Sequence, residues 1–202
     1  MKLVIIGGTG TIGRSVVAAL SPRHEVIVGS RHSEAASVDI TSLASLRALF
    51  DRVGLVDGVI CTAGAVRRKP LAQLETEDFA FSLNNKLMGQ VNVVRAGLER
   101  VRDSGVIVVT RGQASRLPSP GGAAISMVNA ELEGFVRVAA LEAPRGIRVN
   151  AVSPPWSSET LAKLNMDPKG GLPASVIAQA YVRAVETAVT GQVIEPTGNA
   201  GD

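Results

Sequence analysis

The chain has 202 residues, with 21 Lys and Arg against 18 Asp and Glu, and is 46% hydrophobic but only 3% aromatic. That length suits one α/β core and falls short of two. A net charge of +3 with one Trp, one Tyr and four Phe is poor material for a nucleic-acid surface, which needs a dense basic stripe or stacking aromatics. Cys61 is the single cysteine, so an internal disulfide is excluded and a reducing compartment fits. His24, His32 and Cys61 have no metal-site spacing, and no apolar run approaches the ~18 residues of a membrane span. The N-terminus runs straight into an apolar segment with no signal peptide, so the expected location is the cytoplasm.

Residues 2–20 read K-L-V-I-I-G-G-T-G-T-I-G-R-S-V-V-A-A-L. Leu3 to Ile6 form a short continuous apolar run, the pattern of a strand buried on both faces of a parallel sheet. Val16, Val17 and Leu20 then recur at helical spacing. Between them Gly8, Gly10 and Gly13 satisfy G-x-G-x-x-G, with Gly7 just before. A diphosphate can approach the backbone only where there is no Cβ, and the first turn of the helix offers it N–H groups and a positive dipole end. Gly7, Gly8, Thr9, Gly10, Thr11, Ile12 and Gly13 are therefore expected to cradle a dinucleotide.

Glu25-Val26-Ile27-Val28 reads as the second strand, followed by Gly29-Ser30-Arg31-His32-Ser33. Sites that take NAD place an Asp or Glu near this strand end for the ribose 2′-OH. Here Ser30, Arg31 and His32 stand instead. An arginine fork suits a 2′-phosphate, and its flat face can stack on adenine. The expected cofactor is NADP(H).

Strand and helix patterns continue to alternate, with no linker, repeat or low-complexity tract. Ser37-Val38-Asp39-Ile40 reads as a short third strand, and Thr41-Ser42 opens a helix with Leu43, Leu46, Leu49 and Phe50 at helical spacing. Val56 to Ala63 is a buried strand ending at Gly64, and a long helix covers Glu77 to about Arg102. Val106 to Thr110 is another apolar strand, Ala123 to Glu142 a second long helix, and Arg148 to Val152 a strand stopped by Pro154-Pro155. Pro173 to Ala188 reads as helix and Gln192 to Glu195 as the last strand. Strands separated by helices imply parallel pairing with right-handed crossovers, a doubly wound α/β sheet.

Over nearly its whole length the sequence resembles the short-chain dehydrogenase/reductase family. The resemblance rests on the I-I-G-G-T-G-T-I-G-R start, Val38-Asp39-Ile40, Cys61-Thr62-Ala63-Gly64 and Leu87-Met88-Gly89. The stretches A-E-L-E-G-F-V-R-V-A-A-L-E from Ala130 and G-I-R-V-N-A-V-S-P from Gly146 carry it further. It implies a single Rossmann-type domain with strand order 3-2-1-4-5-6-7. Asp39 and Ile40 would flank the adenine, Ala63-Gly64 would pass under the adenosine ribose, and the loop from Pro154 would cover the nicotinamide.

The family's active site joins Y-x-x-x-K on the helix after the fifth strand to an upstream Ser and an Asn on the preceding helix. Anchoring on Leu132-Glu133-Gly134-Phe135 puts Ile125 at the Tyr position, Asn129 at the Lys position and Gly112 at the Ser position. Anchoring on Leu87-Met88-Gly89 puts Lys86 at the Asn position. All four positions are changed. Lys and Asn are exchanged between two neighbouring helices, so a cation near the nicotinamide ribose can be supplied from the other side. A desolvated lysine can titrate near neutrality and act as acid or base. Lys86, Asn129, Arg111 at the fifth strand's end and Ser115 are the candidate catalytic residues. Ser126 points elsewhere on its helix. Tyr181, the only tyrosine, has no Lys four residues on and reads as a packing residue.

Three readings stay open at this point. The first is an NADP(H)-dependent oxidoreductase with a rebuilt site, acting on a small carbonyl or hydroxyl compound. The second keeps the cofactor site as a sensor or scaffold without turnover. The third is a non-redox cyclase, isomerase or dehydratase on the same fold. Arg67-Arg68-Lys69 is either a solvated triplet or the mark of an anionic or carrier-bound substrate. The lid from Pro155 to Gly171, with Trp156, is short. No metal, nucleic acid or membrane is expected. The apolar residues of the two long helices, Leu87 to Leu98 and Leu132 to Leu141, suggest a homodimer or homotetramer.

Overall fold

The computed structural model describes residues 1–33 and 36–198. Its centre is a parallel sheet of six strands in the order β2-β1-β3-β4-β5-β6. The strands are β1 (Lys2–Ile6), β2 (Glu25–Gly29), β3 (Val56–Cys61), β4 (Val101–Thr110), β5 (Arg148–Val152) and β6 (Val193–Ile194). The helices are α1 (Thr11–Leu20), α2 (Leu43–Val53), α3 (Thr76–Ser82), α4 (Gly89–Arg100), α5 (Ala123–Glu142), α6 (Ser158–Lys163) and α7 (Ala174–Glu186). The expected doubly wound α/β fold is present.

Strands with apolar residues on both faces need a helical layer on each side, and two core clusters fill those layers. Val4, Ile6, Val59, Ile107 and Val149 face α2, α4 and α5 through Leu46, Phe50, Val93, Leu132 and Val136. Leu3, Ile5, Ile60, Val106 and Val108 face α1 and α7 through Val16, Leu20, Ile177 and Tyr181. Successive strand residues thus serve opposite layers. Gly58 keeps β3 close to its neighbours: a Cβ there would lie 2.9 Å from Leu3 Cδ2 and 3.0 Å from Val106 Cγ1.

Three differences from the sequence-based expectation have local causes. The predicted third strand at Ser37–Ile40 is not formed; a single parallel bridge joins Ser30 to Ser37. Ser30 N–H donates to Ala36 O and Val38 N–H to Ser30 O. Beyond that point side chains take over the backbone, with Asp39 N–H donating to Ser45 Oγ and Thr41 N–H to Asp39 Oδ1. The segment runs where a third strand would, but its ladder is pre-empted, and among the described residues six strands stand in place of the expected seven. Secondly, the long helix predicted from Glu77 is two helices, α3 and α4, joined by a wide π-helical turn over Leu83–Met88. Thirdly, β4 begins at Val101 and bulges: Val56 pairs with Val101, but Gly58 already pairs with Val106. Ser104, at φ 60°, sits in the extra loop. Ser42 caps α2 as expected, its Oγ accepting from Ser45 N–H.

Candidate functional site

The carboxyl ends of β1, β2 and β3 open on a cavity of about 340 Å³ lined by residues from three loops. Gly7, Thr9 and Gly10 come from the glycine turn; Ser30, Arg31 and His32 from the end of β2; Asp39, Ile40 and Thr41 from the segment beyond. Thr62, Ala63, Gly64 and Ala65 close the side at the end of β3, and Asn85 reaches in from the π turn. Of the residues expected at the cofactor, Gly7, Thr9, Gly10, Ser30, Arg31, Asp39, Ile40, Ala63 and Gly64 line this cavity.

Gly8, Thr11, Ile12, Gly13 and Pro154 are not in its wall, and two of these glycines shape it from behind. A Cβ on Gly13 would lie 2.1 Å from Gly7 O, and one on Gly8 would lie 2.8 Å from Val28 Cγ1. Gly7 itself has φ 86°, and a Cβ there would meet Ala63 N at 2.7 Å. The turn is therefore a bare-backbone cradle. α1 starts with Gly10 as a cap that makes no side-chain hydrogen bond, and no acid lies in its first turn. The positive end of the helix is thus left for an external anion. Bare cradle, uncapped helix and Arg31 together fit a phosphorylated dinucleotide. Pro154 lies further along the edge, its carbonyl accepting from Gln113 N–H.

The second part of the site gathers at the carboxyl end of β4. Lys86 Nζ donates to Thr110 O at 3.2 Å, and Gln90 Nε2 donates to the same carbonyl at 2.7 Å. Thr110 N–H donates to Gln90 Oε1, so Gln90 satisfies both backbone groups of Thr110. Two residues on, Gly112 N–H donates to Asn129 Oδ1 at 2.9 Å. Lys86 and Asn129, reaching in from neighbouring helices, thus engage the same three-residue stretch. Asn129 is 1% exposed, and its Nδ2 has no hydrogen-bond partner. A buried NH₂ group in that condition is a donor in want of an acceptor.

Lys86 is carried on the π turn, a widened geometry that recurs at functional sites in helices. Its stem lies along Gly64, where an added Cβ would sit 3.2 Å from Lys86 Cγ. Burial brings its ammonium down to about 8, with the neighbouring Cys61 opposing the shift slightly. Cys61 is fully buried and its thiol is pushed up to about 12 by burial, which leaves it inert. Gly89, at the start of α4, lets the helix pass beneath the cavity wall; a Cβ there would meet Ile40 Cδ1 at 2.7 Å.

Arg111 and Ser115 lie beside this centre but engage each other. The Arg111 side chain is fully buried; Nη1 donates to Ser115 Oγ and Nη2 pairs with Glu133 Oε2 at 2.9 Å. Arg116 and Arg137 hold the other oxygen of Glu133. Burial works against the Glu133 carboxylate, but its hydrogen bonds and ion pairs with Arg137, Arg111 and Arg116 hold it below the usual range. Arg111 thus braces the loop after β4 against α5. Ile125 is half-buried on α5, and Ser126 Oγ donates to Ala114 O. In the basic triplet, Lys69 pairs with Asp78 at 2.7 Å and Arg67 lies 3.9 Å over the Phe81 ring. Arg68 lies 5.6 Å from the Trp156 ring centroid, bridging the loop after β3 to the lid.

Tyr181 is fully buried, and its hydroxyl lies 2.7 Å from Thr110 Oγ1, which donates to Cys61 O. Burial raises the phenol well above its ordinary value, with the Thr110 hydrogen bond opposing. Tyr181→Phe is expected to cost about 1 kcal/mol of stability, the worth of one buried hydrogen bond, and to leave cofactor binding unchanged. Chemical denaturation and calorimetric titration check the two halves. Gln90 was not singled out in the sequence, although a glutamine on an inward helical position between Leu87 and Val94 was a readable signal. No local pattern marked Lys163, whose Nζ donates to Thr11 Oγ1 from the lid helix α6.

Fold and cavity are those of a doubly wound α/β protein with an open cleft at the carboxyl edge of its sheet and Lys86, Gln90 and Asn129 gathered at the end of β4. A family model described as enoyl-(acyl carrier protein) reductase matches residues 13–194. A Listeria innocua protein, lin1944, superposes with a TM-score of 0.93 at 36% identity, covering 98% of this chain and 100% of that one. A small-chain dehydrogenase in complex with NADPH superposes at 0.85 with 28% identity, covering 98% and 97%. Hydroxynaphthalene reductase of Aspergillus fumigatus is 28% identical over 147 residues, 70% of this chain and 54% of that protein. The rat 3-oxoacyl-(acyl-carrier-protein) reductase is 26% identical over 180 residues, 79% of this chain and 76% of that one. The chain belongs to the short-chain dehydrogenase/reductase family. It spans about half the length of the first curated relatives it matches, 54% and 52%. Among the described residues, no helix is long and apolar enough to cross a membrane.

Proposed function

We propose that the protein is an NADP(H)-dependent oxidoreductase acting on a small carbonyl or hydroxyl compound, with Lys86 in place of the family's tyrosine as proton donor and acceptor. The observation that carries this reading is the Lys86 ammonium, desolvated beside Gly64 and anchored on Thr110 O at the end of β4. The NADPH complex of the similar small-chain dehydrogenase supports the cofactor assignment. Arg31 and Ser30 would take the 2′-phosphate, the glycine turn the diphosphate, and Ala63-Gly64 the adenosine ribose. Bound there, the nicotinamide supplies or accepts the hydride.

The chain's own residues supply the rest. Lys86 Nζ would give its proton to the carbonyl oxygen as the hydride arrives and, when neutral, would take the hydroxyl proton in oxidation. Asn129 Nδ2 offers a fixed donor to a ribose hydroxyl or the substrate oxygen, and Gly112 N–H keeps the amide oriented. Arg111 and Ser115 hold the loop beneath them. Arg68, beside the Trp156 ring, would suit a substrate carrying a negative charge, free or on a carrier. NADPH oxidation against a panel of carbonyl compounds tests the reading. Turnover that disappears in Lys86→Met supports it, and a silent panel or a fully active variant contradicts it.

A second reading, cofactor binding without turnover, is favoured by the burial of the only tyrosine and its bond to Thr110. Tight NADPH binding with no turnover of any substrate would select it. Self-association is also proposed, on narrower grounds than the sequence suggested. Val93, Val94, Leu132 and Val136 are spent on the core, but Val138 and Leu141 on α5 are 51% and 86% exposed. With Gly134, which has no atom within 4 Å of its Cβ position, they form an apolar stripe at helical spacing. Light scattering at micromolar concentration is expected to give a dimer or tetramer, and Leu141→Glu to shift it toward monomer.

A further inference from the structure

α6 ends at Lys163, whose ammonium crosses to the first residue of α1 and donates to Thr11 Oγ1 at 2.9 Å. That position is electrostatically unfavourable as it stands. A helix N-terminus carries the positive end of the dipole, and α1 has no acid in its first turn and no capping side chain to offset it. Glu159, one turn earlier on α6, is near enough for the lysine's charge to favour its ionised form, but its carboxylate is held on Ala174 N–H and forms no direct ion pair with Lys163. Lys163 is exposed, so its long stem could carry the ammonium out to water. It is instead held against the glycine turn, beside the cavity walled by Gly7, Thr9 and Gly10. An anion on the bare-backbone cradle would be attracted by both the helix end and the Lys163 ammonium.

We propose that Lys163 is a diphosphate-binding residue, delivered by the segment after β5 to the outer side of the glycine turn. The proposal rests on the dinucleotide reading above and adds a residue to it. Arg31 addresses the 2′-phosphate, whereas Lys163 addresses the diphosphate that NADPH and NADH share. Cofactor binding then ties α6 to α1 through the phosphate oxygens as well as through Thr11.

Calorimetric titration of the whole chain with NADPH, NADH and adenosine 2′-monophosphate separates the two roles. Lys163→Met is expected to weaken NADPH and NADH equally, by about tenfold, the worth of one charge-assisted phosphate contact. Binding of adenosine 2′-monophosphate should not change, and Lys163→Arg should retain most of the wild-type affinity. Unchanged NADPH and NADH affinity in Lys163→Met overturns the proposal and leaves the dinucleotide reading intact. An equal loss for adenosine 2′-monophosphate overturns it too, since the variant then disturbs the site generally. A wild-type chain that binds neither dinucleotide overturns the reading on which the proposal rests.

Discussion

NADPH is expected to bind at least about tenfold more tightly than NADH, and Arg31→Ala to remove most of that difference. A charge-assisted pair with a phosphate is worth on the order of 2 kcal/mol, which is more than about tenfold in affinity. Arg31 stands exposed in the cavity wall at the end of β2, with Ser30 beside it as a hydroxyl partner. NADH has no group for Arg31 to pair with, so its affinity should hardly move in the variant. Ser30→Asp should reverse the preference by repelling the phosphate and accepting the 2′-OH. Calorimetric titration with both cofactors reads all three outcomes, and equal wild-type affinities would contradict the NADP(H) assignment.

Lys86→Met is expected to abolish turnover and at the same time to stabilise the protein at pH 7. Positioned acid–base groups contribute about 10²–10⁴ in rate, and that is the loss expected in NADPH oxidation. The stability gain follows from desolvation, which brings the ammonium from 10.5 down to about 8. Between those two values the unfolded chain binds the proton and the folded one does not, so wild-type stability rises with pH across that window. Below about 8 both states are protonated, and the desolvation cost is fully present. Met keeps the stem and removes the charge, so the Tm advantage of the variant should be largest at neutral pH and shrink toward pH 10. A donor with this titration also predicts carbonyl reduction that falls above about pH 8, with alcohol oxidation rising over the same range.

Much of the fold was legible because it is written in local patterns. The apolar run at Leu3–Ile6, the glycines at 7, 8, 10 and 13 and the helical spacing after them specify β1, the turn and α1 without long-range information. α5 and β5 begin and end where their sequence patterns do. The segment 37–40 shows the limit of such patterns. Its β-branched residues fit a strand, but Asp39 and Ser45 side chains take up the backbone groups a ladder would need. In the candidate site, nine of the residues expected at the cofactor line one cavity; seven of them follow β1, β2 or β3, strands that pattern alone locates, and Asp39 and Ile40 come from the segment that forms no strand. Contacts between distant residues were not legible in the same way. Arg111 stands at a strand end where ligands bind, yet Glu133, more than twenty residues on, draws it into an ion pair. The bond from Lys163 to Thr11 spans 152 residues, and no periodicity encodes it.

A crystal structure of the chain grown with NADP⁺ tests the central claim most directly. The account predicts the 2′-phosphate within hydrogen-bonding distance of Arg31 and Ser30, and the diphosphate on the turn from Gly7 to Gly13. It also predicts an ordered nicotinamide ribose beside Lys86 Nζ and Asn129 Nδ2. A cofactor ordered only as far as its diphosphate, or a nicotinamide ribose placed away from Lys86, would contradict it.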